Sequence, residues 1–176
     1  MPEGSEDATI LIATSWQALK RARSGDERTM LCNCTIVIVF AAFFIEANLN
    51  HIVETMNKTT EMSRFLGNRY PGLQDKLAWF YNCYVARLKA LNKRQMFQNG
   101  IERKLRRKFP GFNEIYQFRN NISHGTIDRL AANLDNANTL RRKAKAIVDG
   151  LYRIAANAGN EIPRSVTYEV AISSND

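Results

Sequence analysis

Between Gly25 and Gly67 the chain has neither glycine nor proline, and at the centre of that stretch residues 30–45 are almost wholly apolar. Few structures can accommodate such a run. Crossing a bilayer takes about 20 consecutive apolar residues. This run is shorter, is interrupted by Asn33 and ends at Glu46. Its β-branched middle, Ile36-Val37-Ile38-Val39-Phe40, reads over a short window as a buried strand as easily as a helix. Length decides between them: the pattern carries on through Leu49, Ile52 and Val53 without a breaker. The expectation is one long helix over residues 27–56, buried at the centre of the fold, and no membrane partner.

The remaining segments can surround such a helix. Ile12, Trp16, Leu19 and Ala22 repeat at helical spacing, and Ser24-Gly25-Asp26 stops that helix and caps the next. After a loop with one helical turn near residues 62–66, Leu73, Leu77, Phe80, Tyr84 and Leu88 predict a third helix over 73–91. A basic stretch over 93–108 is interrupted at Asn99-Gly100 and ended by Pro110-Gly111. Phe112, Ile115, Phe118 and Ile122 mark a fourth helix over 112–124, with Gly125 where helices often end. Leu140, Ala144, Ile147, Leu151 and Ile154 mark a fifth over 136–158. Val166 to Ile172 alternate like a strand that has none to pair with, so the tail is either disordered or a docking segment. The fold class is all-α: a bundle of about five helices, with residues 1–8 a flexible leader, 9–158 the domain and 159–176 the tail.

A length of 176 residues suits one domain and one core. Cys32, Cys34 and Cys83 have no second cysteine pair or His-x-x-x-His to complete a zinc site, and read as reduced core thiols. The acidic start, Met1-Pro2-Glu3-Gly4-Ser5-Glu6-Asp7, lacks the basic and apolar parts of an export signal. Together these predict a cytoplasmic protein. A net charge of +8 favours anionic partners, nucleic acid first among them.

Chemistry is concentrated in Arg119-Asn120-Asn121-Ile122-Ser123-His124, immediately before Gly125. Arg119 can donate two parallel hydrogen bonds to a phosphate, and a histidine exchanges a proton near neutral pH. These are parts for phosphoryl transfer without a metal or other cofactor. Five helical residues turn about 500°, so Arg119 and His124 diverge by about 140° while Asn120 and His124 share a face. A cleft between two copies would bring Arg and His together, which predicts a homodimer. The plainer alternative makes His124 a cap on the last carbonyls and pairs Arg119 with a carboxylate.

Phe118-Arg119-Asn120-Asn121-Ile122-Ser123-His124-Gly125 resembles the signature of HEPN domains, Arg-x-x-x-x-His within a helical bundle. The similarity extends to Phe44-Ile45-Glu46-Ala47-Asn48-Leu49-Asn50, to Leu73-Gln74-Asp75-Lys76-Leu77 and to the last long helix, over residues 9–158. The resemblance implies a dimeric, metal-independent endoribonuclease acting as a toxin or in phage defence. His124 would serve as acid or base at the 2′-hydroxyl or the leaving oxygen, Arg119 would meet the phosphate charge, and Asn120 would position or contact RNA. The same resemblance allows a non-catalytic module that binds RNA or a partner protein such as a nucleotidyltransferase antitoxin.

Arg103, Lys104, Arg106, Arg107 and Lys108 are candidate RNA-backbone contacts, or simply a solvated helix face. Arg141, Arg142, Lys143 and Lys145 form a second such run. Tyr116 is a candidate for base stacking or for the core. His51 reads as structural. Glu46 stands in an apolar row with Val39, Ala42, Leu49 and Val53, so it should be partly buried and require a cation. Arg119 is the first candidate, with Lys76 or solvent as the alternative.

Overall fold

The computed structural model describes residues 4–67, 71–86, 100–126 and 130–163, with the backbone alone for 4–9, 11 and 12. Seven α-helices and no strand occur among them: α1 (Gly4–Ser24), α2 (Glu27–Thr55), α3 (Thr59–Leu66), α4 (Leu73–Phe80), α5 (Ile101–Lys108), α6 (Phe112–Ser123) and α7 (Leu134–Asn157). A π-helical turn over Tyr81–Val85 continues α4, closed by Ala86 N–H donating to the Tyr81 carbonyl at 2.9 Å. The all-α expectation holds. The two helices beyond the expected five are α3, which takes two turns rather than one, and α5, whose eight residues carry the basic run. Helix α1 begins at Gly4, inside the expected leader. The expectations for residues 87–99 and 127–129, and for the alternating tail over 164–176, lie outside the described residues.

α2 is the hub, packing on α1, α4, α6 and α7. Its start is fixed by Asp26, whose carboxylate accepts the Thr29 N–H at 2.7 Å. That hydrogen bond holds the Asp26 carboxyl below the usual carboxylate range. Val37, Ile38, Ala41, Ile45, Leu49 and Ile52 of α2 are fully buried against Leu19 and Ala22 of α1, Phe112, Ile115 and Phe118 of α6, and Leu140, Ile147 and Leu151 of α7. Within this core, Asn48 donates to the Phe44 carbonyl at 2.8 Å and accepts from the Tyr152 hydroxyl at 3.1 Å, joining α2 to α7 through a satisfied polar pair. The Arg141 guanidinium lies 4.6 Å from the Trp16 ring centroid, clamping α1 to α7. His51 is buried, and its Nε2 has no hydrogen-bond partner among the described residues.

α2 is less enclosed than its composition suggests. By length and composition it could cross a membrane, and 39% of its apolar window is buried. Ile36 and Phe43, each 37% exposed, form with half-buried Phe40 an uncovered strip along one side. The expectation of a helix buried at the centre of the fold is therefore corrected: the helices packed on α2 leave one side of its middle uncovered. The thiols also divide. Cys34 is buried, Cys83 is half-buried and Cys32 is exposed, so Cys32 is not a core thiol. Burial pushes the Cys34 thiol up, and the Cys83 thiol up to about 11, which keeps both protonated.

The entry to α6 depends on Gly111, at φ +88°, where a β-carbon would run into the Lys143 side chain. Two substitutions test this core. Tyr152→Phe, which leaves Asn48 without its buried donor, lowers unfolding free energy by about 1 kcal/mol. Gly111→Ala, which forces left-handed backbone on a side chain and displaces Lys143, lowers it by about 2 kcal/mol. Urea titration followed by circular dichroism measures both.

Candidate active site at the end of the sixth helix

α6 ends in a Schellman motif. His124 N–H donates to the Asn120 carbonyl at 3.0 Å, Gly125 N–H to Ile122 at 2.9 Å and Thr126 N–H to Asn121 at 2.8 Å. Gly125 is at φ +77°, the left-handed conformation this closure requires. Because backbone N–H groups take up those carbonyls, the imidazole is not needed as a cap. The His124 side chain is exposed and has no hydrogen bond among the described residues, so side-chain capping is not what places it there. Asn120 is half-buried on the same helix, and the Ser123 hydroxyl donates to the Arg119 carbonyl at 3.0 Å.

Arg119 leaves α6 toward α2. Its Nη2 lies 3.8 Å from Glu46 Oε2, and its guanidinium carbon lies 5.8 Å from the Phe43 ring centroid. Glu46 is partly buried, at 21% side-chain exposure, as the apolar row predicts. Its tighter partner is Lys76: Nζ donates to Glu46 Oε1 at 2.8 Å and to Asn50 Oδ1 at 2.9 Å, and the Lys76 side chain is 12% exposed. Both proposed cations therefore meet this carboxylate. Lys76 hydrogen-bonds it, whereas Arg119 stands beyond hydrogen-bond reach and is 28% exposed. The looser contact leaves guanidinium donors free for an external anion.

The α5 cations stand apart from this cluster. Ile101 and Leu105 are buried, while Arg103, Lys104, Arg106, Arg107 and Lys108 all face solvent. All but Lys108 line, with Gly100, a cleft of about 620 Å³. Gln74 donates to Glu102 at 3.3 Å, so the start of α5 lies beside the first turn of α4, the turn that supplies Lys76. Tyr116 stacks on Phe112 with ring centroids 5.8 Å apart and planes 18° apart, which occupies one face of the ring. Phe43 and Asn50 were not singled out by sequence reasoning. Their signal was spacing: both lie within one turn of Glu46 on the same side of α2.

No three of the histidine, cysteine, aspartate and glutamate side chains come together as a metal site among the described residues. The geometry suits contact with a phosphate through Arg119 and proton exchange at exposed His124, on diverging sides of one helix end. Glu46→Ala, which strands Lys76 in a largely buried place, lowers stability by about 2 kcal/mol. Glu46→Gln, which keeps an acceptor for Lys76, costs less, and Arg119→Ala less again, at about 0.5 kcal/mol; thermal and urea denaturation rank the three. No family model matches the chain, and no curated protein or solved structure matches it either.

Proposed function

We propose that the protein is a metal-independent endoribonuclease of HEPN type, working as a homodimer. One observation carries this reading: Arg119 is held loosely by Glu46 and Phe43 with donors to spare, while the Schellman closure of the same helix presents His124 to solvent. Arg119 meets the charge of the scissile phosphate. His124 takes the proton of the neighbouring 2′-hydroxyl, or gives one to the leaving 5′-oxygen, as that hydroxyl oxygen attacks phosphorus. The products are a 2′,3′-cyclic phosphate and a 5′-hydroxyl, and DNA, lacking the attacking group, is spared. Asn120 positions the RNA.

A single helix end directs Arg119 and His124 apart, so the reading requires a second copy to complete the cleft. The strip of Ile36, Phe40 and Phe43 supports this, because it is apolar and adjoins Arg119 through Phe43. The α5 cations supply a sequence-independent grip on the RNA backbone. A second reading, a non-catalytic module binding RNA or a partner protein, is favoured by one observation: no described hydrogen bond orients the His124 ring.

With EDTA present, the purified protein should cut single-stranded RNA to cyclic-phosphate ends, and His124→Ala should abolish the cutting while leaving RNA affinity within about twofold. Glu46→Gln should reduce cleavage more than it reduces stability. Arg106→Glu with Arg107→Glu should weaken RNA binding about tenfold or more and make its salt dependence shallower by about 2 in log–log slope. Sedimentation should give a dimer at micromolar concentration. Binding without cleavage would favour the module, and a monomer that still cuts RNA would remove the shared cleft.

A further inference from the structure

The opposite end of α6 from His124 carries a surface with different chemistry. Between α7 and the Lys108-Phe109-Pro110 corner runs a groove of about 380 Å³. Lys108, Lys143 and Arg153 stand along it, and Phe109, Ile147 and Ile154 form its floor. Lys143 has Glu114 at 4.0 Å, whereas Lys108 and Arg153 have no carboxylate partner among the described residues. The groove has unsatisfied positive charge above an apolar base.

Gly150 opens it. Glycine is a poor residue for a helix interior, yet Gly150 lies well inside the 24 residues of α7. Neither conformation nor crowding requires it. Its φ lies outside the left-handed region, and an added β-carbon would meet only Phe109 Cε1 at 3.8 Å, an ordinary contact. What a side chain there would do is fill the groove. Lys143, Ile147, Gly150, Ile154 and Asn157 fall on one stripe of α7, a length of about 21 Å.

We infer that this groove binds an extended, acidic peptide segment of a partner protein. About six extended residues match its length, and their period of two directs alternate side chains to the floor. Aliphatic anchors then enter the gap over Gly150, and carboxylates between them meet Lys108, Lys143 and Arg153. RNA fits less well. Phe109 is 2% exposed and offers no open ring face for a base, and a sugar–phosphate chain makes no use of an apolar floor. The inference stands independently of the ribonuclease reading.

The test is fluorescence anisotropy on the full chain with a short labelled peptide alternating Leu and Asp, against a control alternating Leu and Asn. The acidic peptide should bind about tenfold tighter than the control, and Gly150→Met should cost about tenfold. Because methionine favours helix over glycine, the variant should melt no lower than the parent, so lost binding would not reflect unfolding. Lys143→Gln with Arg153→Gln should weaken binding to a similar degree, and Arg106→Glu with Arg107→Glu should leave it within about twofold. Equal binding of the two peptides would overturn the inference, as would indifference to Gly150→Met. An equal loss on reversing the α5 cations would reduce the binding to general attraction by a basic chain. Displacement by single-stranded RNA that itself depends on Gly150 would make RNA the occupant. A chain lacking residues 164–176 that binds the peptide about tenfold tighter would give the groove to the chain's own end instead.

Discussion

A carboxylate set into an apolar helix face must have its counter-charges brought to it, and Glu46 imposes that condition on the whole bundle. Removing a carboxylate from water without a partner costs several kcal/mol, about as much as a large share of a domain's net stability. Its cations come from two other helices, Lys76 from α4 and Arg119 from α6. One charge on α2 therefore constrains where both helices dock. Asn50, one turn further along, takes a second Lys76 proton and fixes that lysine more firmly than the carboxylate would alone.

The division of labour between the two cations bears on chemistry. Lys76 is hydrogen-bonded twice and nearly enclosed, so its charge is committed to the fold. Arg119 feels the same carboxylate at longer range and rests near the Phe43 ring, a contact that orients a guanidinium without using its N–H donors. The Schellman closure does the equivalent for His124: backbone groups satisfy the helix end, and the side chain is left over. Each end of α6 is thus settled by glycine geometry, Gly111 where the helix enters and Gly125 where it leaves.

The charge of +8 is likewise unevenly spent. On α5 the cations stand over two buried apolar residues and face solvent as a group. On α7 the second basic run is divided residue by residue: Arg141 goes to Trp16, Lys143 to the Gly111 corner and Glu114, and Arg142 to solvent. The α7 run is thus not one patch in space, because neighbouring helical residues point about 100° apart and α7 has other helices on several sides.

Much of the fold is legible in the sequence. The unbroken apolar run set α2, the apolar spacing set the inward faces of α6 and α7, and Asp26 and Gly125 marked a start and a stop. All of these follow from local periodicity and capping, which depend on residues within a turn or two of one another. The need of Glu46 for a cation was legible too, from its place in an apolar row. Which cation would be nearest was not, because Lys76 is 30 residues away in sequence and Arg119 is further still. Nor did composition reveal that one side of α2 stays uncovered, since a helix apolar all round reads as buried until the number and length of its neighbours are known. The helix-end carbonyls were the last such case. Gly125 offered a backbone closure and His124 a side-chain cap, and the chain's path through Thr126 selected the backbone, leaving the imidazole exposed. Sequence by itself determined the long helices α2, α6 and α7 and the charges that must be compensated; only the packing of α4 and α6 on α2 decided which groups compensate them and which remain free to act.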